Sequence, residues 1–500
     1  MTETDFEPAH QDMGRHIVSG ILGSGMVQIV KVACQFLSVI VLSRLLPPAD
    51  FGLIAMVSPV FAFVTLFQDL GLSQATIQKP SITHDEINAF FWINVGIGAV
   101  LTVLVIAVSP LVGWYYNEPR VVPLTAAMGL LIVIGSLGNQ HGAVMTRRME
   151  FRALALNGMI GAVSGVAVSI ILALTLKTYW ALYWGMAAAI VAPVIAIWFA
   201  SRWRPSRPRL VAGLRDMLRF GAGVTSANLS SYLSMNTDNI LIGWKWGGEA
   251  LGFYDRAYKL LLFPIQRIVG PVMNTMVPVL SRLQDEPERY RRVVLKTLAQ
   301  LTMVTWPGII WAIVLNETLV PTLLGKQWAG SSPVFAALAI AGLVQVVNYA
   351  MGGLYISQGR SGELARWSFF GAVIDVASFG IGLPFGAVGV ATAYAVSEYI
   401  RTPFFWRNVT RSGPIRAGDV VRAVTPQAIS ACVSLAAVFL YRSFVQASPI
   451  LLLIGGLGVA YVATAVTMGL SQGGRETLGH TLDVAHRLVL RVRKMSNNPD

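Results

Sequence analysis

The chain is 500 residues long, 54% apolar and only 13% charged, with a mean hydropathy of +0.61. A soluble domain carries roughly 25% charged residues, so about half the usual charge is missing and a soluble globular class is excluded. The formal charge of +13 sits in short loops beside apolar blocks, which points to anionic lipid headgroups rather than to nucleic acid.

The apolar residues fall into fourteen blocks near 17–45, 51–74, 87–115, 121–146, 153–177, 179–201, 219–243, 251–281, 294–324, 332–357, 365–384, 386–406, 421–445 and 449–470. Each is close to the ~20 residues a helix needs to cross a bilayer. The expected fold is therefore an all-α polytopic membrane protein with about fourteen transmembrane helices. Helices 1–6 form an N-lobe (17–201), a basic linker follows (202–218), helices 7–12 form a C-lobe (219–406), and helices 13 and 14 occupy 407–470. The segment 1–16 holds Glu3, Asp5, Glu7 and Asp12. It is acidic where a signal peptide is basic, so the first block is expected to stay in the membrane. The pair 365–384 and 386–406 is separated only by the turn Pro384-Phe385-Gly386. The tail 471–500 places Leu478, Leu482, Ala485, Val489 and Val492 at helical spacing among arginines, the pattern of a surface-lying amphipathic helix.

With the N-terminus inside, cytoplasmic connectors hold 28 of the 38 basic residues and the opposite side holds six. Loops on the cytoplasmic side retain Lys and Arg, so both termini are expected to be cytoplasmic. An internal repeat supports the count. Ile40-Val41-Leu42-Ser43-Arg44 leads through Pro47-Pro48-Ala49-Asp50 to Phe51-Gly52, and two hundred residues later Ile240-Leu241-Ile242-Gly243-Trp244 leads through Gly247-Gly248-Glu249-Ala250 to Leu251-Gly252. Six helices per repeat is an even number, so the two lobes enter the membrane in the same sense, as in transporters built from parallel repeats.

Polar residues within the blocks carry the functional reading. Ser24, Gln28, Lys31, Gln35 and Ser38 of helix 1 share one helical face. Helix 7 repeats the theme with Asn228, Ser231, Ser234 and Asp238. Helix 8 adds Arg256, Lys259 and Arg267, continued by Asn274. At 100° per residue, eleven steps return Arg267 to within about 20° of Arg256. A lysine at the centre of a spanning helix costs at least ~2.5 kcal/mol, so it should face water, a counter-charge or a ligand. Serines of such a stripe also act as glue between helices, and Arg256 and Lys259 also suit snorkelling to the interface. Read as a binding set, these cations form a path for a phosphate-bearing lipid headgroup. Among interior carboxylates, Glu398 pairs locally with Arg401, three residues on. Asp375 has no partner nearby in sequence, which makes it a site for a coupling ion or proton. Asp69 ends a stripe with Ser58 and Thr65 and is a second such carboxylate.

Cys34 and Cys432 lie in separate predicted helices, and the six histidines are scattered near ends and loops. No metal and no cofactor is expected. Outer connectors are too short to carry a catalytic constellation, which argues against an enzyme.

The stretch Leu251-Gly252-Phe253-Tyr254-Asp255-Arg256-Ala257-Tyr258-Lys259-Leu260, with Pro278-Val279-Leu280-Ser281-Arg282-Leu283, resembles the second-half signature of polysaccharide-repeat flippases. Leu324-Gly325-Lys326-Gln327-Trp328 and the segment from Leu42-Ser43-Arg44-Leu45-Leu46 through Phe51-Gly52 are similar to the same family. These are Wzx-type carriers of the multidrug/oligosaccharidyl-lipid/polysaccharide superfamily, and the resemblance is strongest to the branch exporting colanic acid and succinoglycan. It implies translocation of an undecaprenyl-diphosphate-linked oligosaccharide across the bacterial inner membrane by alternating access, coupled to H+ or Na+. It also brings in a polysaccharide polymerase and a chain-length regulator as partners. Two other readings stay open: a drug/cation antiporter of the same superfamily, and a flippase for a peptidoglycan precursor.

Overall fold

The computed structural model describes residues 13–208, 214–481 and 483. Among the described residues every regular element is helical. The helices are α1 (Met13–Leu45), α2 (Pro48–Thr65), α3 (Leu72–Gln78), α4 (His84–Tyr116), α5 (Val121–Arg147), α6 (Phe151–Leu176), α7 (Trp180–Ala200), α8 (Leu214–Arg282), α9 (Pro287–Val314), α10 (Asn316–Leu324), α11 (Ser331–Ser357), α12 (Ser361–Gly382), α13 (Gly386–Val409), α14 (Ala417–Phe444) and α15 (Pro449–Leu470). Each apolar block lies largely in helix. Ten stretches among the described residues are long and apolar enough to cross a membrane, one of which, 361–409, contains both α12 and α13. The N-terminal tail, the linker residues 209–213 and most of the amphipathic tail lie outside the described residues.

Local chemistry sets the helix ends. Pro48, Pro287 and Pro449 sit in the first turns of α2, α9 and α15, where a missing N–H is not needed. Thr83 opens α4 with a capping box: its hydroxyl accepts from the Glu86 N–H at 3.3 Å, and the Glu86 carboxylate accepts from the Thr83 N–H at 2.9 Å. Between α12 and α13 the chain makes the expected turn, a 3-10 segment Leu383–Phe385 followed by Gly386 at φ 79°.

Four blocks differ from their expected shape. In the block 51–74 the α-helix ends at Thr65, the chain turns through Leu70 and Gly71 in left-handed conformations, and it restarts as α3. The block 294–324 breaks into α9 and α10 at Leu315. The blocks 219–243 and 251–281 are the two arms of α8, separated by a single non-helical residue, Gly247, at φ 78° and ψ −176°. That combination is open to glycine and almost closed to other residues.

The chain forms two compact units, Met1–Asp255 and Arg256–Asp500. The division falls inside α8, just after its kink. Residues 202–208 are stitched to α4 of the first unit. Trp203 is fully buried, Asn88 donates to the Arg207 carbonyl at 2.9 Å, and the Ser206 N–H donates to Asn88 Oδ1 at 2.8 Å. In the first unit α6 packs on α7 and α1, and α4 on α5. In the second, α13 packs on α11 and α12, α14 on α15 and α9, and α9 on α11.

The burial pattern is inverted relative to a soluble protein. On α4 the apolar Val100 (67% exposed) and Val103 (66%) face outward, while Asn94, Thr102 and Ser109 are buried. Lipid replaces water around the apolar faces, so packing between helices depends on close backbone approach at small residues. A Cβ added at Gly185 of α7 would lie 1.6 Å from Ser169 Oγ and 2.9 Å from the Gly165 carbonyl oxygen of α6. We therefore expect Gly185→Leu to lower stability by about 1–3 kcal/mol, the usual overpacking penalty. Leu174→Ala, at a position 56% exposed on α6, should leave it within about 0.5 kcal/mol of the parent. Thermal denaturation of the purified protein in detergent, monitored by size exclusion, separates the two.

Candidate functional site

The residues singled out from the sequence divide between the two units. In the first unit, α1 carries Gln28 and Gln35 on its exposed face and Lys31 half-buried. The Lys31 ammonium lies over Gly158 of α6, where an added Cβ would be 2.2 Å from Nζ and 3.0 Å from Cε. A glycine here gives the cation its seat. The side chains of Ser24, Asn228, Ser231 and Ser234 lie outside the described residues.

Asp238 is buried. Its Oδ2 accepts from the Tyr254 hydroxyl at 2.9 Å and its Oδ1 from the Asn239 N–H at 2.8 Å. Since Asp238 precedes Gly247 and Tyr254 follows it, this bond ties the two arms of α8 across the kink. Asp69 is a cap and a bridge. It accepts from the Ser73 N–H at 3.2 Å and the Ser73 hydroxyl at 2.7 Å, which starts α3, and from Asn94 Nδ2 of α4 at 3.0 Å.

In the second unit, α8 presents Lys259, Arg267 and Asn274 on exposed positions, with Arg256 half-buried. Asp375 of α12 is buried and has a partner that the sequence did not offer: Arg401 of α13 donates to its Oδ1 at 2.8 Å. The same guanidinium pairs with Glu398, one turn away on α13, and donates to the Gly371 carbonyl at 3.2 Å. Arg401 is therefore no loop cation but the bridge of a buried triad. From α11, Asn348 Nδ2 donates to Glu398 Oε2 at 3.3 Å and to Thr402 Oγ1 at 2.9 Å, while its own Oδ1 accepts from Trp406 Nε1 at 3.0 Å. A low-dielectric interior makes such an array rigid when each member is satisfied.

Sequence reasoning also missed a polar network in the first unit. Gln68 Nε2 donates to the Ile132 carbonyl at 2.8 Å and to Ser136 Oγ at 3.1 Å, and Thr76 donates to Gln140 Oε1 at 2.8 Å. The one available signal was a glutamine embedded in an apolar run. In the turn between α4 and α5, Arg120 Nε and Nη2 each bond the Glu118 carboxylate at 2.9 Å, and these bonds hold the Glu118 carboxyl below its ordinary range.

Residues 41–333 match the family described as polysaccharide biosynthesis protein. The lipopolysaccharide biosynthesis protein WzxC of Escherichia coli (strain K12) is 24% identical over 392 residues, covering 77% of this chain and 79% of that one. The succinoglycan biosynthesis transport protein ExoT of Rhizobium meliloti (strain 1021) is 24% identical over 310 residues, covering 61% and 62%. Among solved structures, the lipid II flippase MurJ in an inward closed conformation superposes with a TM-score of 0.76 at 11% identity, covering 89% of this chain and 98% of that one.

Removing Arg401 would leave two carboxylates buried without their shared guanidinium, a loss of the kind that costs about 3–5 kcal/mol. Arg401→Ala should lower the Tm of the purified protein sharply, whereas the charge-conserving Arg401→Lys recovers part of the loss. An unchanged Tm for Arg401→Ala would show that the triad does not hold α12 to α13.

Proposed function

The chain belongs to the polysaccharide biosynthesis protein family, and on that premise we propose that it is a flippase moving an undecaprenyl-diphosphate-linked oligosaccharide repeat unit across a bacterial inner membrane. The product serves exopolysaccharide or lipopolysaccharide synthesis. The observation that carries this reading is the family match over residues 41–333, which runs through both arms of α8. Relatives along most of the chain are a lipopolysaccharide biosynthesis protein and a succinoglycan biosynthesis transport protein by name. The fold is that of a multi-pass membrane carrier, and the reading gives it transport rather than catalysis.

The interior cations support the substrate class. An ammonium in the middle of α1, half-buried in a seat made by Gly158, suits a diphosphate and repels a cationic drug. In this proposal Lys31 holds phosphate in the first unit with Gln28 and Gln35 bonding sugar hydroxyls. In the second unit Arg256, Lys259, Arg267 and Asn274 do the same for the headgroup as it moves. The lipid tail stays in the bilayer. Asp238 shapes the α8 kink, and Asp375 and Asp69 are the proposed points where H+ or Na+ couples to transport. Both termini face the cytoplasm, and the carrier hands its product to a polymerase and a chain-length regulator.

In a deletion strain, polymer should disappear and unpolymerised lipid-linked repeat units should accumulate on the cytoplasmic side. Lys31→Glu and Arg267→Glu should each fail to restore polymer while inserting in the membrane at parental levels. Export by both variants at the parental rate removes these residues from the site. Normal polymer with raised sensitivity to cationic drugs in the deletion strain supports the antiporter instead.

A further inference from the structure

α5 and α11 are both 27 residues long, and the turns that follow them match position for position. Met149 and Gly359, each two residues past its helix, take left-handed conformations at φ 58° and 71°. In the second unit Arg360 Nη1 donates to the Val409 carbonyl at 2.9 Å, and Glu363 accepts from its Nε and Nη2 at 2.9 and 2.7 Å. In the first unit Arg148 Nη1 donates to the Ser201 carbonyl at 3.0 Å, and the counterpart of Glu363 is Ala153. Here the first unit holds a cavity of about 430 Å³, lined by Arg148, Glu150, Ala200, Ser201 and Arg202.

Arg202 is presented between two anchored neighbours. Ser201 and Trp203 are fully buried. Ser201 Oγ is hydrogen-bonded to His141 Nδ1 at 2.8 Å, and Trp203 Nε1 donates to His84 Nδ1 at 3.2 Å. Arg202 itself is exposed, and among the described residues its side chain has no hydrogen-bond or ion-pair partner. Its φ is 52°, a left-handed conformation that glycine adopts freely and arginine rarely. The second unit spends a glycine on its left-handed turn, whereas here a guanidinium is kept at a strained position. Backbone strain retained for the sake of a side chain points to a use for that side chain.

Two arginines and one glutamate around the cavity suit a guest with one net negative charge and hydroxyls to donate to Glu150. The rim makes that guest an amphiphile. Met149, Phe151 and Phe199, chain neighbours of cavity residues, are 43%, 46% and 75% exposed, and Ile195, one turn back along α7, is 54% exposed. We propose that this cavity binds the headgroup of an anionic phospholipid of the phosphatidylglycerol type, with its phosphate on Arg148 and Arg202 and its acyl chains along α6 and α7. Basic pockets at the ends of membrane helices are suited to such headgroups. Assignment to the cytoplasmic leaflet rests on the topology proposed above, whereas the binding does not.

The test titrates the purified full-length protein in detergent with dioleoylphosphatidylglycerol and follows its Tm, which should rise to saturation. Arg202→Gly relieves the left-handed strain, so it should start at or above the parental Tm. It should nevertheless need about tenfold more lipid for half the gain, as expected for loss of one charge-assisted hydrogen bond. Arg202→Asn, which also tolerates this conformation, should do the same. Arg407→Gln, which removes an exposed cation of α13, should titrate like the parent, and Glu150→Gln at least as tightly. The proposal is overturned if both Arg202 variants titrate like the parent or if Arg407→Gln weakens binding as much. An equal gain from inorganic phosphate or glycerol 3-phosphate makes the guest a soluble anion and overturns it too. An equal gain from dioleoylphosphatidylethanolamine that Glu150→Gln abolishes puts a headgroup ammonium on Glu150 and overturns the choice of lipid. Because the titration needs no transport, the site stands or falls independently of whether the deletion strain loses its polymer.

Discussion

Lipid offers no hydrogen bonds, and that constraint orders everything in this chain. A backbone that must satisfy its own polar groups in hydrocarbon becomes helix, and the polar side chains on those helices must then turn toward one another. Hydroxyls do so locally: Ser58, Thr76, Thr146 and Thr302 each donate to the carbonyl four residues earlier. Amides do so at a distance, as Gln68 does across to α5 and Asn348 across to α13. With hydrophobic burial no longer favouring one apolar partner over another, the helices are held by van der Waals contact at glycines and by these polar bonds. The Gly382 and Gly389 pair shows the limit of approach. A Cβ on either would lie about 2.5 Å or less from the other's carbonyl oxygen.

Charges obey the same constraint more severely. Arg147 of α5 spends its guanidinium on the carbonyls of Thr76, Lys79 and Pro80 at the end of α3. Arg442 links α14 to the Val314 carbonyl and to Glu317, and Arg401 joins two carboxylates. Each of these cations has become structure. Lys31 is treated differently, because the helix facing its ammonium offers a glycine and therefore space. In the function proposed above Lys31 is a phosphate contact, and the glycine at 158 is what lets its ammonium lie against α6.

Helix positions were legible in the sequence because hydropathy is a local property, and so was the turn at Pro384-Phe385-Gly386. What hydropathy does not register is where a helix stops without leaving the apolar phase. The breaks at Leu70-Gly71 and at Leu315 fall inside blocks read as single helices, beside Gln68-Asp69 and Asn316-Glu317, and backbone conformation reveals them. The candidate site was legible in kind but not in partnership. Asp375 looks solitary because its guanidinium is 26 positions away on the next helix. The bond from Asn94 to Asp69 is hidden in the same way, because the two are 25 positions apart. Helical spacing assigns a residue to a face but does not say what that face meets.

The internal repeat illustrates how far such a reading reaches. As a sequence feature it is two short segments ending in Phe51-Gly52 and Leu251-Gly252, which could be shared turn chemistry and nothing more. In the fold the two segments are each other's binding surface, and the glycines are needed at the point where each backbone touches the other. A duplicated segment that pairs with its own copy must be small enough to fit itself, so selection for the contact acts on both copies at once. Bare backbone meets that demand, which is a physical reason for glycine at 52 and 252 that helix propensity, on which glycine ranks near the bottom, would never suggest.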